Sequence, residues 1–333
     1  METQHFADIE PLIGNTPLLE IKLKYKGIAR RVFAKAEYFN LTGSIKDRVA
    51  LYIMKKAYET GEIAKNDIIA EATSGNTGIA FSAIGSYLGH KVRIYMPDWM
   101  SRERITLMQS FGAEVVLVSR EQGGFLGSIA MTEELGKKGG VFLPRQFSNE
   151  DNINAHIEST GAEIINQLSA LGVVPDGVVA GVGTGGTIMG LARSLRTCNS
   201  NCSAHPLEPA NSPTLSTGYK VGKHRIQGIS DEFIPSILKL DELDSVVSVS
   251  DEDAIIMARM LSEQFGIGVG ISSGANLVGC IISQETTSPS KEYVTVFADD
   301  NKKYLSTDYS DAIDRTSGEI TRDIELIGVT AHR

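Results

Sequence analysis

A lysine in a turn of small residues is the residue of this chain best suited to covalent chemistry. Residues 40–48 read Asn-Leu-Thr-Gly-Ser-Ile-Lys-Asp-Arg, and the apolar spacing from Val49 to Ala57 predicts a helix directly after them. A helix dipole disfavours a cation at this end, and a lysine held as a Schiff base on an anionic cofactor would resolve the conflict. An ordinary surface lysine beside Asp47 and Arg48 is the alternative interpretation of Lys46.

A second candidate segment, Thr-Ser-Gly-Asn-Thr-Gly at 73–78, lies between a strand-like run and a helix-like run. Its backbone N–H groups at the start of a helix suit an anion. The segment carries no Lys or Arg, so we expect a carboxylate there. A capped turn, with Thr73 or Ser74 as the N-cap, is compatible with this interpretation.

A glycine-rich loop, Gly-Val-Gly-Thr-Gly-Gly-Thr at 181–187, follows the apolar run 177–180. Successive glycines let the backbone close around phosphate oxygens, and the following helix adds its dipole. Gly181, Gly183 and Gly186 also satisfy the dinucleotide pattern G-x-G-x-x-G, with Glu208 at about the distance of a ribose-binding acid. The loop by itself therefore does not separate a simple phosphate from NAD.

These three segments, followed by Gly-Ile-Ser-Ser-Gly-Ala at 270–275, closely resemble the cysteine synthase/cystathionine β-synthase family. The resemblance runs from Ile-Gly-Asn-Thr-Pro-Leu at 13–18 to Lys-Tyr-Leu-Ser-Thr at 303–307. It implies a pyridoxal-phosphate (PLP) enzyme of fold type II, an α/β protein of two lobes, each with a mostly parallel twisted sheet covered by helices. A smaller mobile lobe is expected at 40–150, and a larger PLP-phosphate-binding lobe at 1–39 plus 151–333.

The resemblance also implies individual roles. Lys46 would hold the cofactor and shuttle the substrate α-proton, while Ser272 would meet the pyridine nitrogen. A neutral hydroxyl there weakens the ring as an electron sink, which favours loss of a β-substituent over transamination. The residues expected to bind the cofactor are Lys46, Asn76, Gly183, Thr184, Gly185, Gly186, Thr187 and Ser272. Those expected to bind the substrate are Thr73, Ser74, Asn76, Thr77 and Gln146.

The reaction implied by the resemblance is β-replacement on a small L-amino acid through an aminoacrylate intermediate. Cysteine synthesis from O-acetylserine and sulfide is placed first. An NAD-dependent oxidoreductase is a less favoured class, which the glycine loop alone would permit.

One departure from the family pattern keeps a second reaction open. Asp231 and Glu232 stand where cysteine synthases commonly carry small residues before Phe-Ile-Pro. As candidate catalytic residues they could activate water or a thiol, or repel hydrosulfide. L-Cysteine would then be cleaved to sulfide plus serine, lanthionine or cystathionine. A solvated loop is the other interpretation of this pair.

Composition limits the remaining classes. The 333 residues carry a net charge of −9, which argues against a nucleic-acid or anionic-membrane partner. No run of eighteen apolar residues and no signal-peptide pattern is present, so the cytoplasm is expected. Cys198 and Cys202 with His205 resemble half a metal site, but a second ligand pair is missing and no metal is expected. The family likeness implies a homodimer.

Overall fold

The computed structural model describes residues 2–230, 232–311 and 314–333. The strands in this part of the chain are β1 Leu18–Tyr25, β2 Ile28–Ala36, β3 Ile68–Ala72, β4 Val92–Pro97, β5 Glu114–Val118, β6 Val141–Phe142, β7 Gly177–Gly181, β8 Ser203–Pro209, β9 Val247–Val249, β10 Tyr293–Phe297 and β11 Ile324–His332. They form a seven-stranded sheet in the order β11-β1-β2-β10-β7-β8-β9 and a four-stranded sheet in the order β5-β4-β3-β6.

The helices connect and cover these strands. They are α1 Glu2–Ile9, α2 Lys46–Thr60, α3 Asn76–Tyr87, α4 Arg102–Ser110, α5 Gly124–Gly136, α6 Asp151–Ala155, α7 Ala162–Ala170, α8 Gly186–Leu195, α9 Thr214–Thr217, α10 Asp251–Phe265 and α11 Ile271–Thr286. A π-helical segment, His156–Gly161, joins α6 to α7. Among the described helices, none is both long and apolar enough to cross a membrane.

Both sheets are mostly parallel, which confirms the predicted α/β class. Every pair in the smaller sheet is parallel, and β2, β10, β7, β8 and β9 run parallel in the larger one. The exception is β1, which is antiparallel to both β2 and β11. Lys26 and Gly27 join β1 to β2 with φ values of 50° and 76°, as a two-residue type I′ hairpin requires.

The hydrophobic core falls into three clusters. One is built on the smaller sheet and on α2 and α3, and it also takes in Phe6, Ile9 and Ile13 from the N-terminal segment. The other two lie on opposite faces of the larger sheet, since neighbouring residues such as Val178 and Val179 belong to different clusters. The smaller sheet spans 68–142, inside the predicted smaller lobe, while the lobe boundaries themselves stay a prediction.

A buried ionic network fixes the start of α2. The Arg48 guanidinium donates to Glu37 at 2.6 and 2.9 Å and to Glu163 at 2.7 and 2.8 Å. Lys35 adds a second cation 2.7 Å from Glu163. Burial alone would raise the pKa of Glu163, but the Arg48 and Lys35 contacts outweigh it and lower that pKa to about 2. The network therefore stays charged and ties α2 to the end of β2 and to α7.

Replacing Arg48 by Met should lower the free energy of unfolding by about 3–5 kcal/mol, because it leaves the buried Glu37 carboxylate without its cation. Denaturant unfolding of the two proteins measures the difference. Lys56→Met is the matched control on the same helix, since it removes only exposed contacts of the ammonium, with Glu59 and with the Tyr52 ring. Equal stability of the two variants would contradict the importance given to the network.

Candidate active site

A cleft of about 670 Å³ is lined by residues of both sheets' connecting loops. It brings together most of the residues that the sequence singled out. Those that line it are Lys46, Thr73, Ser74, Asn76, Thr77, Gln146, Gly183, Thr184 and Glu232. Gly185, Gly186, Thr187 and Ser272 do not line the cleft surface, but each directly adjoins or closely follows a lining residue in the chain.

Lys46 is the first residue of α2 and is half-buried at the cleft. Its Nζ lies 3.4 Å from Thr184 Oγ1, although the two residues are 138 positions apart in the chain. The helix start and the amine-to-loop contact place a primary amine directly beside the glycine loop. A group bound by that loop is therefore within reach of a covalent bond to Lys46.

The glycine loop connects β7 to α8, and two of its glycine positions have no room for a side chain. A Cβ at Gly183 would lie 2.6 Å from the Gly228 carbonyl oxygen, and one at Gly186 would lie 2.1 Å from Asn152 Oδ1. Gly185 adopts a φ of 86°, which favours glycine. Bare backbone at the N-terminus of a ten-residue helix is a site for a phosphate group.

The side chains of His156 and Thr160 support the glycine loop at Thr187. Thr187 Oγ1 lies 3.3 Å from Nε2 of the buried His156, whose Nδ1 lies 3.0 Å from Thr160 Oγ1. Burial lowers the pKa of His156 well below its ordinary value, and Lys46 and Arg48 lower it further. His156 is therefore neutral and positions the Thr187 hydroxyl without adding a charge.

The substrate-side loop runs from the end of β3 into α3. The Thr77 hydroxyl donates to Gln146 Oε1 at 2.6 Å, and Gln146 Nε2 donates to the Ala72 carbonyl at 2.8 Å. Thr73 Oγ1 accepts the Gly75 N–H at 3.0 Å. These bonds shape the loop and leave the second Nε2 hydrogen of Gln146 for another acceptor.

The side-chain amide of Asn76 has a hydrogen-bond partner for its nitrogen but none for its buried oxygen. Its Nδ2 donates to Asp299 Oδ2 at 2.8 Å, and the Tyr304 hydroxyl donates to the same oxygen at 2.6 Å. Its Oδ1 is buried and has no hydrogen-bond partner in the described structure. A buried polar atom without a partner beside Lys46 and the glycine loop fits a polar cofactor at this place.

The acidic pair is only partly described. Asp231 lies outside the described residues. Glu232 lines the cleft and its carboxylate is 3.3 Å from Lys220 Nζ. The structure thus brings one of the two predicted carboxylates to the site.

Several supporting residues were missed by sequence reasoning. Asn152 donates to the Gln146 carbonyl at 2.8 Å and to Thr184 Oγ1 at 2.9 Å, so it joins the substrate loop to the glycine loop. Asp299, the hydrogen-bond partner of Asn76, was not among the predicted site residues either. The sequence carries no signal of its own for these long-range partners.

The dinucleotide interpretation of Glu208 is not supported by its surroundings. The Glu208 carboxylate accepts the backbone N–H groups of Leu215 and Ser216 at 2.7 and 3.3 Å and also bonds the Ser216 hydroxyl. It therefore caps the short helix α9, which is its physical role here. An acid engaged in this way is not presented to a ribose.

A lysine amine beside a glycine-lined loop at a helix N-terminus, with a buried polar side chain next to them, fits a PLP-dependent enzyme of fold type II. The chain belongs to the family described as pyridoxal-phosphate dependent enzyme, whose profile matches residues 9–299. This excludes the NAD-dependent alternative.

Named relatives support the same class. A probable cysteine synthase of Bacillus subtilis (strain 168) is 40% identical over 91% of this chain and 97% of its own length. A hydrogen sulfide-producing enzyme from Fusobacterium nucleatum is 55% identical, with a TM-score of 0.94 over 98% of this chain and 99% of that chain. An aspartate-to-asparagine variant of that enzyme, with a TM-score of 0.95 and the same identity and coverage, was solved in complex with an α-aminoacrylate intermediate. The chain is therefore a PLP-dependent enzyme, and the relatives it resembles are named for cysteine synthesis and hydrogen sulfide production.

A buried acid, Glu71, lies directly behind the substrate loop. Its two carboxylate oxygens accept the N–H groups of Ala72 at 2.9 Å and Gln146 at 3.2 Å. Burial raises the pKa of Glu71 from its ordinary value of 4.5 to about 8, and these two hydrogen bonds only partly offset that effect. Between these values the folded protein holds one more proton than the unfolded chain.

Stability should therefore fall as the pH rises from about 5 to about 8, by at most about 1.4 kcal/mol per pH unit from this group. Glu71→Gln should remove this contribution to the slope of the unfolding free energy against pH, because the amide does not titrate. Thermal unfolding at a series of pH values measures it. Glu242→Gln, an exposed acid whose pKa is lowered by its hydrogen bond with Arg193, is the control that should keep the wild-type slope. An unchanged slope in Glu71→Gln would show that Glu71 is ionised throughout.

Proposed function

We propose that this enzyme cleaves L-cysteine by β-replacement, releasing hydrogen sulfide and forming serine with water as the nucleophile. The observation that carries the proposal is the Glu232 carboxylate in the wall of the cleft. The 55% identity to a hydrogen sulfide-producing enzyme over nearly the full length supports it. This places sulfide release ahead of cysteine synthesis, which is the reverse of the order favoured by the sequence alone.

Bound PLP supplies an electron sink that makes the substrate α-proton acidic and loosens the β-substituent. In our proposal Lys46 Nζ takes and returns the α-proton, and it does so from a position beside the glycine loop. The backbone of 183–187, with the hydroxyls of Thr184 and Thr187, holds the phosphate. Asn76 and Ser272 hold the ring, as the family likeness implies.

The substrate carboxylate is assigned to the loop at the start of α3. Thr73, Ser74 and Thr77 offer hydroxyl and backbone donors there, and Gln146 offers its second Nε2 hydrogen. All four are uncharged, so the helix N-terminus supplies the electrostatic attraction. We also propose that the smaller lobe, 40–150, closes over this group and excludes bulk water.

The acidic pair would act in the second half of the reaction. A carboxylate of Asp231 or Glu232 takes a proton from water as the oxygen forms its bond to the substrate β-carbon. The C–S bond breaks in the first half, when the sulfur leaves with its thiol proton as hydrosulfide. The proton that the carboxylate takes from water balances the second proton of hydrogen sulfide. The negative charge of Glu232 in the cleft wall disfavours the hydrosulfide anion as the attacking group, whereas it does not oppose neutral water.

Cysteine synthesis from O-acetylserine and sulfide is the second candidate. The 40% identity to a probable cysteine synthase favours it. The two reactions share the α-amino and α-carboxylate contacts, so they differ only in the β-substituent and the nucleophile. We further propose, from the family likeness, a homodimer located in the cytoplasm.

Replacing Lys46 by Ala should abolish covalent attachment of PLP, because the amine that forms the bond is removed. Borohydride should then fix no cofactor to the protein, and turnover should fall by about 10²–10⁴-fold. The absorption spectrum and the mass of the reduced protein measure attachment. Lys55→Ala, an exposed position on the same helix paired with Glu10, should keep wild-type spectra. A borohydride-stable adduct in the Lys46 variant would refute the assignment.

Asp231→Asn and Glu232→Gln should separate water activation from the rest of the reaction. If one of them is the base, that variant should release sulfide from cysteine about 10²–10⁴-fold more slowly, and serine should fall in parallel. Synthesis of cysteine from O-acetylserine and sulfide should be retained, because hydrosulfide needs no base. Asp308→Asn removes another cleft carboxylate, one paired with Arg225, and is the matched control. Wild-type sulfide release in both acidic-pair variants would end the proposal.

A further inference from the structure

The backbone directly before the acidic pair is strained. Ser230 adopts a φ of 55°, in the left-handed region that non-glycine residues seldom enter. Such a conformation persists only where the surroundings impose it, and it is common where a side chain must be aimed at a site. Ser230 itself lines the cleft.

Four contacts hold Ser230 in this conformation, and we call them the Ser230 clamp. The Ser230 N–H donates to the Val182 carbonyl at 2.7 Å. Its Oγ lies 3.2 Å from both the Ser212 carbonyl oxygen and Thr214 Oγ1, and its single hydrogen serves one of them. The Ser230 carbonyl lies 3.2 Å from His224 Nε2, which must carry the hydrogen of that bond.

The clamp connects the segment to the cofactor loop. Val182 belongs to the glycine loop, and Gly228 and Ile229 pack against it so closely that a Cβ at Gly183 or Gly181 would collide with them. Thr214 begins α9, which Glu208 caps. The position of Ser230 is thus set by the glycine loop, by the β8–α9 connection and by His224.

The other end of the segment is fixed by aromatic packing. The Phe233 ring centroid lies 5.1 Å from that of Phe147 and 6.3 Å from that of Phe125. Phe147 follows Gln146 in the chain, so this contact connects the segment to the substrate loop. Glu232 therefore stands between two fixed points, Ser230 on the cofactor side and Phe233 on the substrate side.

We propose that Ser230 is a positioning residue whose clamp fixes Glu232 in the wall of the cleft and thereby controls the nucleophile step. The inference rests on the proposed function, because it gives the acidic pair its task. It predicts a separation of the two half-reactions. Lys46 and the substrate loop, which act in the first half, lie outside the clamp, whereas the delivery of water depends on it.

Ser230→Ala keeps the strained φ and removes the Oγ contacts, whereas Ser230→Gly also relieves the strain. In the holoenzyme, the rate at which L-cysteine changes the visible absorption reports the first half, and serine formation reports the second. Both variants should slow the second rate at least tenfold and leave the first within twofold. Ser230→Gly should unfold at the wild-type temperature or above. A slower second rate in this variant would then reflect lost positioning and not a loss of stability. Thr214→Val, which removes only a hydroxyl, should act in the same direction but less.

Lys26→Gly is the matched control, because it relieves a positive φ of 50° in a turn remote from the cleft and should leave both rates unchanged. Hydrogen exchange of the amides at 228–233 gives a readout independent of turnover and should be at least tenfold faster in Ser230→Ala. Equal losses in both half-reactions, or none in either, would overturn the inference while leaving the proposed function standing. If the wild-type enzyme forms no serine from cysteine, the proposed function fails, and the exchange data alone decide whether Ser230 fixes the segment.

Discussion

The paired guanidinium of Arg48 is the interaction on which the geometry of the cleft depends. Lys46 is two residues before Arg48 in α2, so the contacts of Arg48 with Glu37 and Glu163 also fix the direction from which the amine enters the cleft. A buried pair of this kind gains little net stability relative to apolar packing, but it is intolerant of losing one member. Here it orients the helix at a position where apolar side chains would permit rotation about the helix axis.

Backbone N–H groups contribute to the electrostatics of the cleft, together with the charged side chains that line it. The helices α3, α8 and α11 all begin at its edge or next to it, each following the loops at 73–75, 181–185 and 268–270. Their N-terminal N–H groups attract anions without the strongly hydrated charge of a lysine or arginine. The segments 73–75 and 181–185 carry no charged side chain, and Lys46 Nζ lies beside the second of them.

Much of this arrangement could be predicted from local sequence. The loops at 73–78 and 181–187 each follow an apolar run and precede an amphipathic one, and in parallel sheets such loops gather at one edge. The glycine pattern was ambiguous because Gly181, Gly183 and Gly186 serve a phosphate alone as well as a dinucleotide. Only the partners of Glu208 in α9 showed that this acid has another use. The left-handed conformation of Ser230 and the bridging role of Asn152 were beyond prediction, since both arise from residues far apart in the chain.

The pairing of β11 with β1 bears on how the protein is made. Glu20 and His332 meet across 312 residues, whereas the four-stranded sheet closes within 68–142. During synthesis the smaller sheet can form early, while β1 keeps an unpaired outer edge until 324–332 has emerged. Closing so long a loop is slow, and an open strand edge bearing Leu19, Ile21 and Leu23 is prone to pair with other chains. The last strand to be made therefore determines how long the nascent chain remains exposed to aggregation.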